Sequence, residues 1–189
     1  MRDAGRLPPG QVLTLKWPVL HQGPVPPFDP NTWDFRVTGL VEKPLRMSWM
    51  EFMALPMTEV VADMHCVTRW SRFDVRWEGV PFAEVMRLVD AQPGADFVMV
   101  QAEYGYTSNV PLTDLMRPTS LFALKHNGAP LPAEHGYPVR LVVPHLYAWK
   151  SVKWVRGIEF MRENSPGFWE ENGYHIYGDP FLEQRYSAG

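Results

Sequence analysis

The chain has 189 residues, a formal net charge of −3 and a hydrophobic fraction of 46%. A chain of this kind can bury a core of its own, and it lacks the strongly basic character of nucleic-acid-binding proteins. Its single cysteine excludes an intramolecular disulfide and a zinc site built from several thiolates.

No membrane or export signal stands out in the sequence. No apolar run approaches the roughly 18 residues that are needed to cross a bilayer. The N-terminal residues contain no apolar stretch followed by a small-residue cleavage site. We therefore expect one domain over residues 1–189 without a membrane span, cytoplasmic or, if the chain has been trimmed, periplasmic.

The first predicted feature is an extended arm. Residues 1–31 are rich in Pro and Gly, as in "HQGPVPPFDP", and should pack on the domain as a loop-like segment. The segment that follows, "TWDFRVTG", alternates Trp33, Phe35 and Val37 with polar residues. This period of two predicts a half-buried strand.

A short helix and a strand are predicted next. Ser48 is a typical N-cap for "WMEFMAL", and Pro56 should end that helix. "TEVVADMHCV" predicts a strand that runs directly into Cys66. Pro81 then suits the start of a second helix over "FAEVMRLVD".

The rest of the chain reads as short strands. The strand candidates are "DFVMVQAE", "LFALKHN", "YPVRLVVP" and "VKWVRGIEF", and "NG" at 127–128 predicts a tight turn. Many short strands with few short helices and long loops indicate a β-rich α+β fold.

The cysteine segment, "DMHCVTRWSRFDVRWEGV", is unusual in composition. Arg69, Arg72 and Arg76 follow Cys66 closely. A free cysteine is typically a small buried hydrophobe, whereas neighbouring arginines can stabilise a reactive or metal-binding thiolate. The residues alone leave both interpretations open.

Three segments together resemble one protein family. "CVTRWSRFDVRWEGVPF" resembles the cysteine segment of the sulfite oxidase-like molybdopterin oxidoreductases, and its "C-V-x-x-W-S" start is similar to their short stand-alone bacterial branch, of the methionine sulfoxide reductase catalytic subunit type. "HGYPVRLVVPHLYAWKSVKWVRGIEF" resembles a second motif of that family. "HQGPVPPFDPNTWDFRVTGLV" resembles its N-terminal arm.

The resemblance implies a fold, a cofactor and a set of site residues. The fold would be the sulfite oxidase-type molybdopterin-binding fold, and the cofactor would be molybdenum with a pterin dithiolene, without a haem in this chain. Cys66 would be the one thiolate ligand of the metal, and Tyr174 would stand near it as a catalytic residue, with Tyr177 as the alternative. The positions implied to contact the cofactor are His21, Cys66, Thr107 (or Ser108), His135, Arg140, Ser151, Val152 and Lys153.

The sequence also departs from the sulfite oxidases. Val19 stands where they have an Arg, and Trp70 and Ser71 replace an Arg pair, so that only Arg69 remains near Cys66. A mouth lined by Trp70, Trp149 and Trp169 would favour a substrate with apolar surface. We therefore expect oxygen-atom transfer, or a related two-electron redox reaction, on a small molecule such as an S- or N-oxide rather than sulfite. The electrons would be exchanged with a separate cytochrome, quinone-linked or flavin protein.

Two other functions fit a lone cysteine. One is a metal-free thiol enzyme with Cys66 as nucleophile, for which the adjacent His65 is a poor base because neighbouring strand residues point to opposite faces. The other is a cofactor-free interaction domain that retains the fold.

Overall fold

The computed structural model describes residues 5–187, and in this range it contains eleven β-strands and four short α-helices. The strands are β1 Val12–Leu13, β2 Asp34–Gly39, β3 Leu45–Ser48, β4 Thr58–His65, β5 Trp70–Pro81, β6 Phe97–Ala102, β7 Thr107–Pro111, β8 Leu121–His126, β9 Ala129–Pro130, β10 Arg140–Val142 and β11 Val155–Met161. The helices are α1 Trp49–Met53, α2 Phe82–Met86, α3 Leu112–Leu115 and α4 Phe168–Glu171. The β-rich α+β fold class predicted from the sequence is confirmed. None of the helices between residues 5 and 187 has the length and apolar character to span a membrane.

The strands form two mixed sheets. In the first, β4 pairs along one edge of β5, while β1 and β8 pair with different parts of its other edge, and β8 continues to β9 and β10. The second has the order β3–β2–β11–β6–β7, with β2 and β11 parallel. The first sheet carries both the turn that follows β4 and the start of β10, and these two places hold Cys66 and Arg140.

The main core lies where the two sheets meet. Phe35 and Ile158 of the second sheet pack in one cluster with Phe122 and Leu141 of the first, and all four are fully buried. Burial of one such side chain stabilises the fold by about 1.5–3 kcal/mol. The cluster therefore fixes the first sheet, and the turn that it carries, against the rest of the fold.

Several predicted elements are confirmed. The alternating segment is β2, in which Phe35 and Val37 are buried. Ser48 caps α1 in a capping box, in which its side chain accepts from the N–H of Glu51 and the Glu51 carboxylate accepts from the N–H of Ser48. The turn between β8 and β9 has positive φ at Asn127 and Gly128, as a tight Asn-Gly turn requires.

Other elements are shorter than predicted. The helix after Pro81 ends at Met86 because the chain then pairs with a distant segment: the Asp90 carbonyl accepts from the N–H of Glu42, and the N–H of Gln92 donates to the Leu40 carbonyl. The predicted strand "YPVRLVVP" is reduced to the three residues of β10. Pro138 and Pro144, which flank β10, lack the backbone N–H that hydrogen bonding between strands needs.

The edge of the second sheet is held by a buried carboxylate. Asp34 Oδ2 accepts from Arg36 and Arg46, and its Oδ1 accepts from Arg156. Burial alone would raise the pKa of Asp34, but the hydrogen bonds from Arg156, Arg36 and Arg46 outweigh it and lower the pKa to about 2. The carboxylate thus joins β2, β3 and β11 in its charged form.

We expect Asp34→Asn to destabilise the protein by about 2 kcal/mol at pH 7. Because the folded-state pKa lies below the unfolded value, this contribution is present above pH ~4 and is lost as the pH falls through about 2. Urea unfolding of the wild type and of Asp34→Asn from pH 7 to pH 2.5 measures this pH dependence. Asp90→Asn, at an exposed aspartate, is the matched control. A difference that does not change with pH would contradict this assignment.

Candidate active site

Cys66 lies one residue beyond the end of β4, in the turn that leads to β5. The turn is closed by two backbone hydrogen bonds: the N–H of Cys66 donates to the Trp70 carbonyl (2.9 Å), and the N–H of Arg69 donates to the Cys66 carbonyl (3.0 Å). Cys66 is 8% exposed, and its Sγ lies 3.1 Å from Thr68 Oγ1. The prediction that a strand runs into the cysteine is thus confirmed.

Cys66 faces a cavity of about 590 Å³, a volume typical of cofactor and substrate sites. The arm, the β4–β5 turn and residues 103–106, 148–154 and 168–174 contribute its walls. Eight of the nine site residues proposed from the sequence line it: His21, Cys66, His135, Arg140, Ser151, Val152, Lys153 and Tyr174.

Thr107 is the exception. It begins β7 and pairs with Gln101, and it does not line the cavity. Its neighbour Tyr106 does, and the Tyr106 hydroxyl donates to the Trp149 carbonyl at 3.2 Å. Ser108, the alternative, is fully buried and donates to Glu170 (3.3 Å). At this point of the chain Tyr106 lines the cavity, whereas Thr107 and Ser108, the two residues predicted from the sequence, do not.

Two cations face the cavity without a carboxylate partner. Arg140 is 2% exposed; its Nη1 donates to the His135 carbonyl, and its buried Nε has no partner within residues 5–187. Lys153 Nζ donates to the carbonyls of Leu20 and Glu134. Burial lowers the pKa of Lys153 to about 7 and that of Arg140 to about 10, while the Cys66 sulfur acts in the opposite direction on both. Arg140 is buried and Lys153 half-buried, and their only acceptors within residues 5–187 are neutral carbonyls, which indicates a site for an anion.

Neutral hydrogen-bonding groups lie beside these cations. His135 stacks on Trp17 of the arm (3.7 Å between ring centroids), and its buried Nδ1 has no partner in the described chain. Burial, Lys153 and Arg140 lower the pKa of His135 to about 4, so the imidazole is neutral at pH 7. Within residues 5–187 the N–H groups of Val152 and Lys153 donate to no backbone carbonyl. Their free donors, and the Ser151 hydroxyl beside them, suit a polar ligand.

The wall around Cys66 is aromatic. Trp149 is buried in one cluster with Cys66, and Trp70, Trp169 and Tyr174 pack against that cluster. Tyr174 stacks on Trp169 (4.9 Å between ring centroids) and meets Trp149 edge-on (5.0 Å). None of the three arginines that follow Cys66 lines the cavity. Arg69, the one arginine expected from the sequence to remain near the thiol, directs its Nη1 toward Gly10 of the arm.

Tyr174, rather than Tyr177, faces this cavity. The Tyr177 hydroxyl donates to Asp114 (3.3 Å), and Tyr177 is not part of the cavity wall. Burial raises the pKa of Tyr174, and Tyr186 and Cys66 raise it further. The Tyr174 phenol is therefore protonated at neutral pH and able to donate a hydrogen bond into the cavity.

Residues that the sequence did not single out hold the cysteine turn from outside. Gln11 Nε2 donates to the Cys66 carbonyl at 2.9 Å, and Arg185 Nη1 donates to the Val67 carbonyl at 2.8 Å. Arg185 is buried and lies over the ring of Tyr147. Segments near the two ends of the chain thus meet at the turn that carries the thiol.

The geometry gives little support to a metal-free thiol enzyme. His65 Nδ1 bonds to Ser71 Oγ at 2.8 Å, and His65 does not line the cavity. The one hydrogen-bonding partner of Cys66 Sγ within residues 5–187 is the Thr68 hydroxyl, which is not a base. That part of the chain also contains no cluster of three or more His, Cys, Asp or Glu side chains able to hold a metal ion.

The donor set fits a metal-pterin cofactor. A lone thiolate suits a soft metal whose remaining ligands come from elsewhere. Arg140 and Lys153 suit a phosphate, and the neutral imidazole and free N–H groups suit a polar heterocycle.

Comparison with known proteins agrees with this chemistry. The family model for the oxidoreductase molybdopterin binding domain matches residues 22–169. An uncharacterized oxidoreductase of Bacillus subtilis (strain 168), YuiH, is 49% identical over 186 residues, which is 98% of this chain and 94% of the relative. The protein-methionine-sulfoxide reductase catalytic subunit MsrP of Gluconobacter oxydans is 30% identical over 80% of this chain, but the match spans only 54% of that protein.

A solved structure shows the same fold. The sulfane dehydrogenase SoxCD from Paracoccus pantotrophus superimposes with a TM-score of 0.69, at 23% identity, over 76% of this chain and 41% of that one. The sulfite oxidase-type molybdopterin-binding fold expected from the resemblance is thereby confirmed.

Proposed function

The chain belongs to the oxidoreductase molybdopterin-binding family and is an oxidoreductase, and from that premise we propose that it reduces a small organic S- or N-oxide at a molybdenum-pterin centre ligated by Cys66. The observation that supports this most is the joint placement, on one cavity, of a lone thiol, the buried Arg140 and the half-buried Lys153, neither of which has a carboxylate partner within residues 5–187. A purely structural cysteine would not require such cations beside it.

The residues that would hold the cofactor divide by chemistry. Cys66 would give the metal its protein thiolate, Arg140 and Lys153 would hold the phosphate end, and His135 and His21 would meet the heterocycle. The N–H groups of Val152 and Lys153 and the Ser151 hydroxyl would complete the polar contacts. When bound, the cofactor supplies the two-electron chemistry and the exchange of an oxygen atom with the substrate.

The aromatic wall would select the substrate. Trp70, Trp149 and Trp169 offer apolar faces next to Cys66, whereas the two cavity-facing cations donate to the backbone carbonyls of Leu20, Glu134 and His135. This environment suits a substrate with one polar oxygen and apolar substituents better than a small dianion. The methionine-sulfoxide reductase subunit of Gluconobacter oxydans is named for the same class of substrate, although this chain matches only 54% of that protein.

Tyr174 would assist the transfer of oxygen. Its phenol is protonated at neutral pH and lines the cavity, so it can donate a hydrogen bond to the oxide oxygen of a bound substrate. The reduction takes up two electrons and two protons, and it releases the sulfide or amine and one water. Tyr174 would hold one of these protons at Oη.

The two electrons would come from a separate protein. The sequence contains one cysteine and therefore no dithiol that could store reducing equivalents. We propose a cytochrome, a quinone-linked protein or a flavin protein as the donor.

A substrate panel tests the proposal. Protein from a molybdenum-replete host should contain about one molybdenum and one pterin per chain. With a reduced dye as electron donor it should reduce dialkyl and aryl alkyl sulfoxides with a kcat/KM at least about tenfold above that for sulfite oxidation, measured with an oxidised dye as electron acceptor, which is the scale of discrimination by an apolar pocket. Trp70→Arg should lower this ratio.

Two outcomes would contradict the proposal. Well-folded protein with neither molybdenum nor pterin would favour a cofactor-free interaction domain. Loaded protein with a strong preference for sulfite would show that the aromatic wall does not select the substrate.

A further inference from the structure

Thr68 makes a contact that the proposed function does not explain. Its Oγ1 lies 3.1 Å from Cys66 Sγ, well within hydrogen-bonding distance of a sulfur. Thr68 also lines the cavity. The sequence pattern did not single it out, because a threonine in a turn usually bonds to nearby backbone groups.

The chemistry of the pair assigns the donor. A cysteine that ligates a metal does so as a thiolate, which has no proton to give. The Thr68 hydroxyl must then be the donor and the sulfur the acceptor. A β-branched threonine also has few rotamers, which keeps the hydroxyl in place.

The surroundings of the turn hold this geometry. Gln11 and Arg185 fix the carbonyls of Cys66 and Val67, the two residues before Thr68. Arg69, the residue after it, has a φ of 72° and closes the turn in the left-handed region. Neither end of the Cys66–Thr68 segment can rotate without breaking one of these contacts.

We propose that Thr68 is a positioning residue whose hydroxyl donates a hydrogen bond to the Cys66 thiolate and thereby raises the reduction potential of the metal bound there. This inference rests on the proposed function, because it requires a metal on Cys66. A hydrogen bond to a ligating sulfur draws electron density away from the metal, which favours the reduced state.

Thr68→Val and Thr68→Ser form a matched pair for the test. Valine keeps the shape of threonine without the donor, and serine keeps the donor. Both loaded proteins are compared with the wild type for molybdenum content, midpoint potential and thiolate-to-metal charge-transfer absorption. Thr68 is exposed to solvent in part of its surface, so neither change should unfold the protein.

We expect Thr68→Val to retain molybdenum but to lower the equilibrium constant for one-electron reduction on the order of tenfold, which corresponds to about 59 mV. Its charge-transfer band should shift, whereas Thr68→Ser should keep the wild-type values. An unchanged potential and band in loaded Thr68→Val, or an equal change in Thr68→Ser, would overturn this inference alone. Wild-type protein without molybdenum would overturn the proposed function as well.

Discussion

Replacing Cys66 with Ser is expected to leave a folded protein that no longer retains molybdenum and whose oxide-reductase activity falls at least about a hundredfold. Losing an outer partner of a metal ligand already lowers affinity or activity 10- to 100-fold, and Cys66 is the proposed ligand itself. A hydroxyl is a harder and less acidic donor than a thiol, so it is a poor substitute toward a soft metal. Metal analysis and the loss of the charge-transfer absorption measure the result.

The stability of the same variant is the control for this prediction. The substitution is close to isosteric, so the free energy of unfolding should fall by less than about 2 kcal/mol. Because Cys66 is the only cysteine in the sequence, a small thiol reagent should label metal-free wild type once and loaded wild type not at all. Full molybdenum content in folded Cys66→Ser would show that the metal is held elsewhere.

Local chemistry accounts for the parts of the fold that could be predicted. The alternation around Phe35 predicts a strand because one face of the second sheet is buried. Ser48 predicts a helix start because its side chain and Glu51 satisfy each other's backbone donors. Both signals lie within four residues of sequence, and no distant contact opposes them.

Distant contacts account for the parts that could not be predicted. Strand β1 has two residues, too few for a period, and it exists because the arm pairs with Trp70 and Ser71. Helix α2 stops early because Asp90 and Gln92 bond to residues 40–42. In both places tertiary pairing overrides local propensity.

The candidate site likewise has parts that could be predicted from the sequence and parts that depend on distant contacts. The residues carried over from the family resemblance meet at one cavity, except Thr107. The residues that hold them are separated from their partners by long stretches of chain: 55 residues between Gln11 and Cys66, and 118 between Val67 and Arg185. A buried glutamine or arginine has no local pattern that marks such a partner, so only the folded chain identifies it.

Breaking the ion pair between Lys150 and Glu170 is expected to cause the largest loss of stability of any single change considered. Lys150 is 0% exposed and the Glu170 side chain 1%, with Nζ 2.6 Å from Oε1. Burial lowers the pKa of Lys150 to about 8 while Glu170 opposes it, so Lys150 is mostly charged at pH 7. Removing one partner leaves the other charge buried and uncompensated, and Lys150→Met should therefore cost about 3–5 kcal/mol. Urea unfolding at pH 7 measures this loss.

The same pair connects stability to the site. Glu170 Oε1 also accepts from Trp149 Nε1 (2.8 Å), and Lys150 Nζ donates to the Ile176 carbonyl (2.9 Å). The pair thus holds the segment that carries Tyr174 against the cavity, and a shift of that segment by about 1 Å can lower the rate about a hundredfold.

The double variant Lys150→Met/Glu170→Gln should be less destabilised than the sum of the two single variants, because it buries no lone charge. Lys43→Met, at an exposed lysine, should change the stability by less than about 0.5 kcal/mol, and a similarly small effect of Lys150→Met would contradict the role given to the pair.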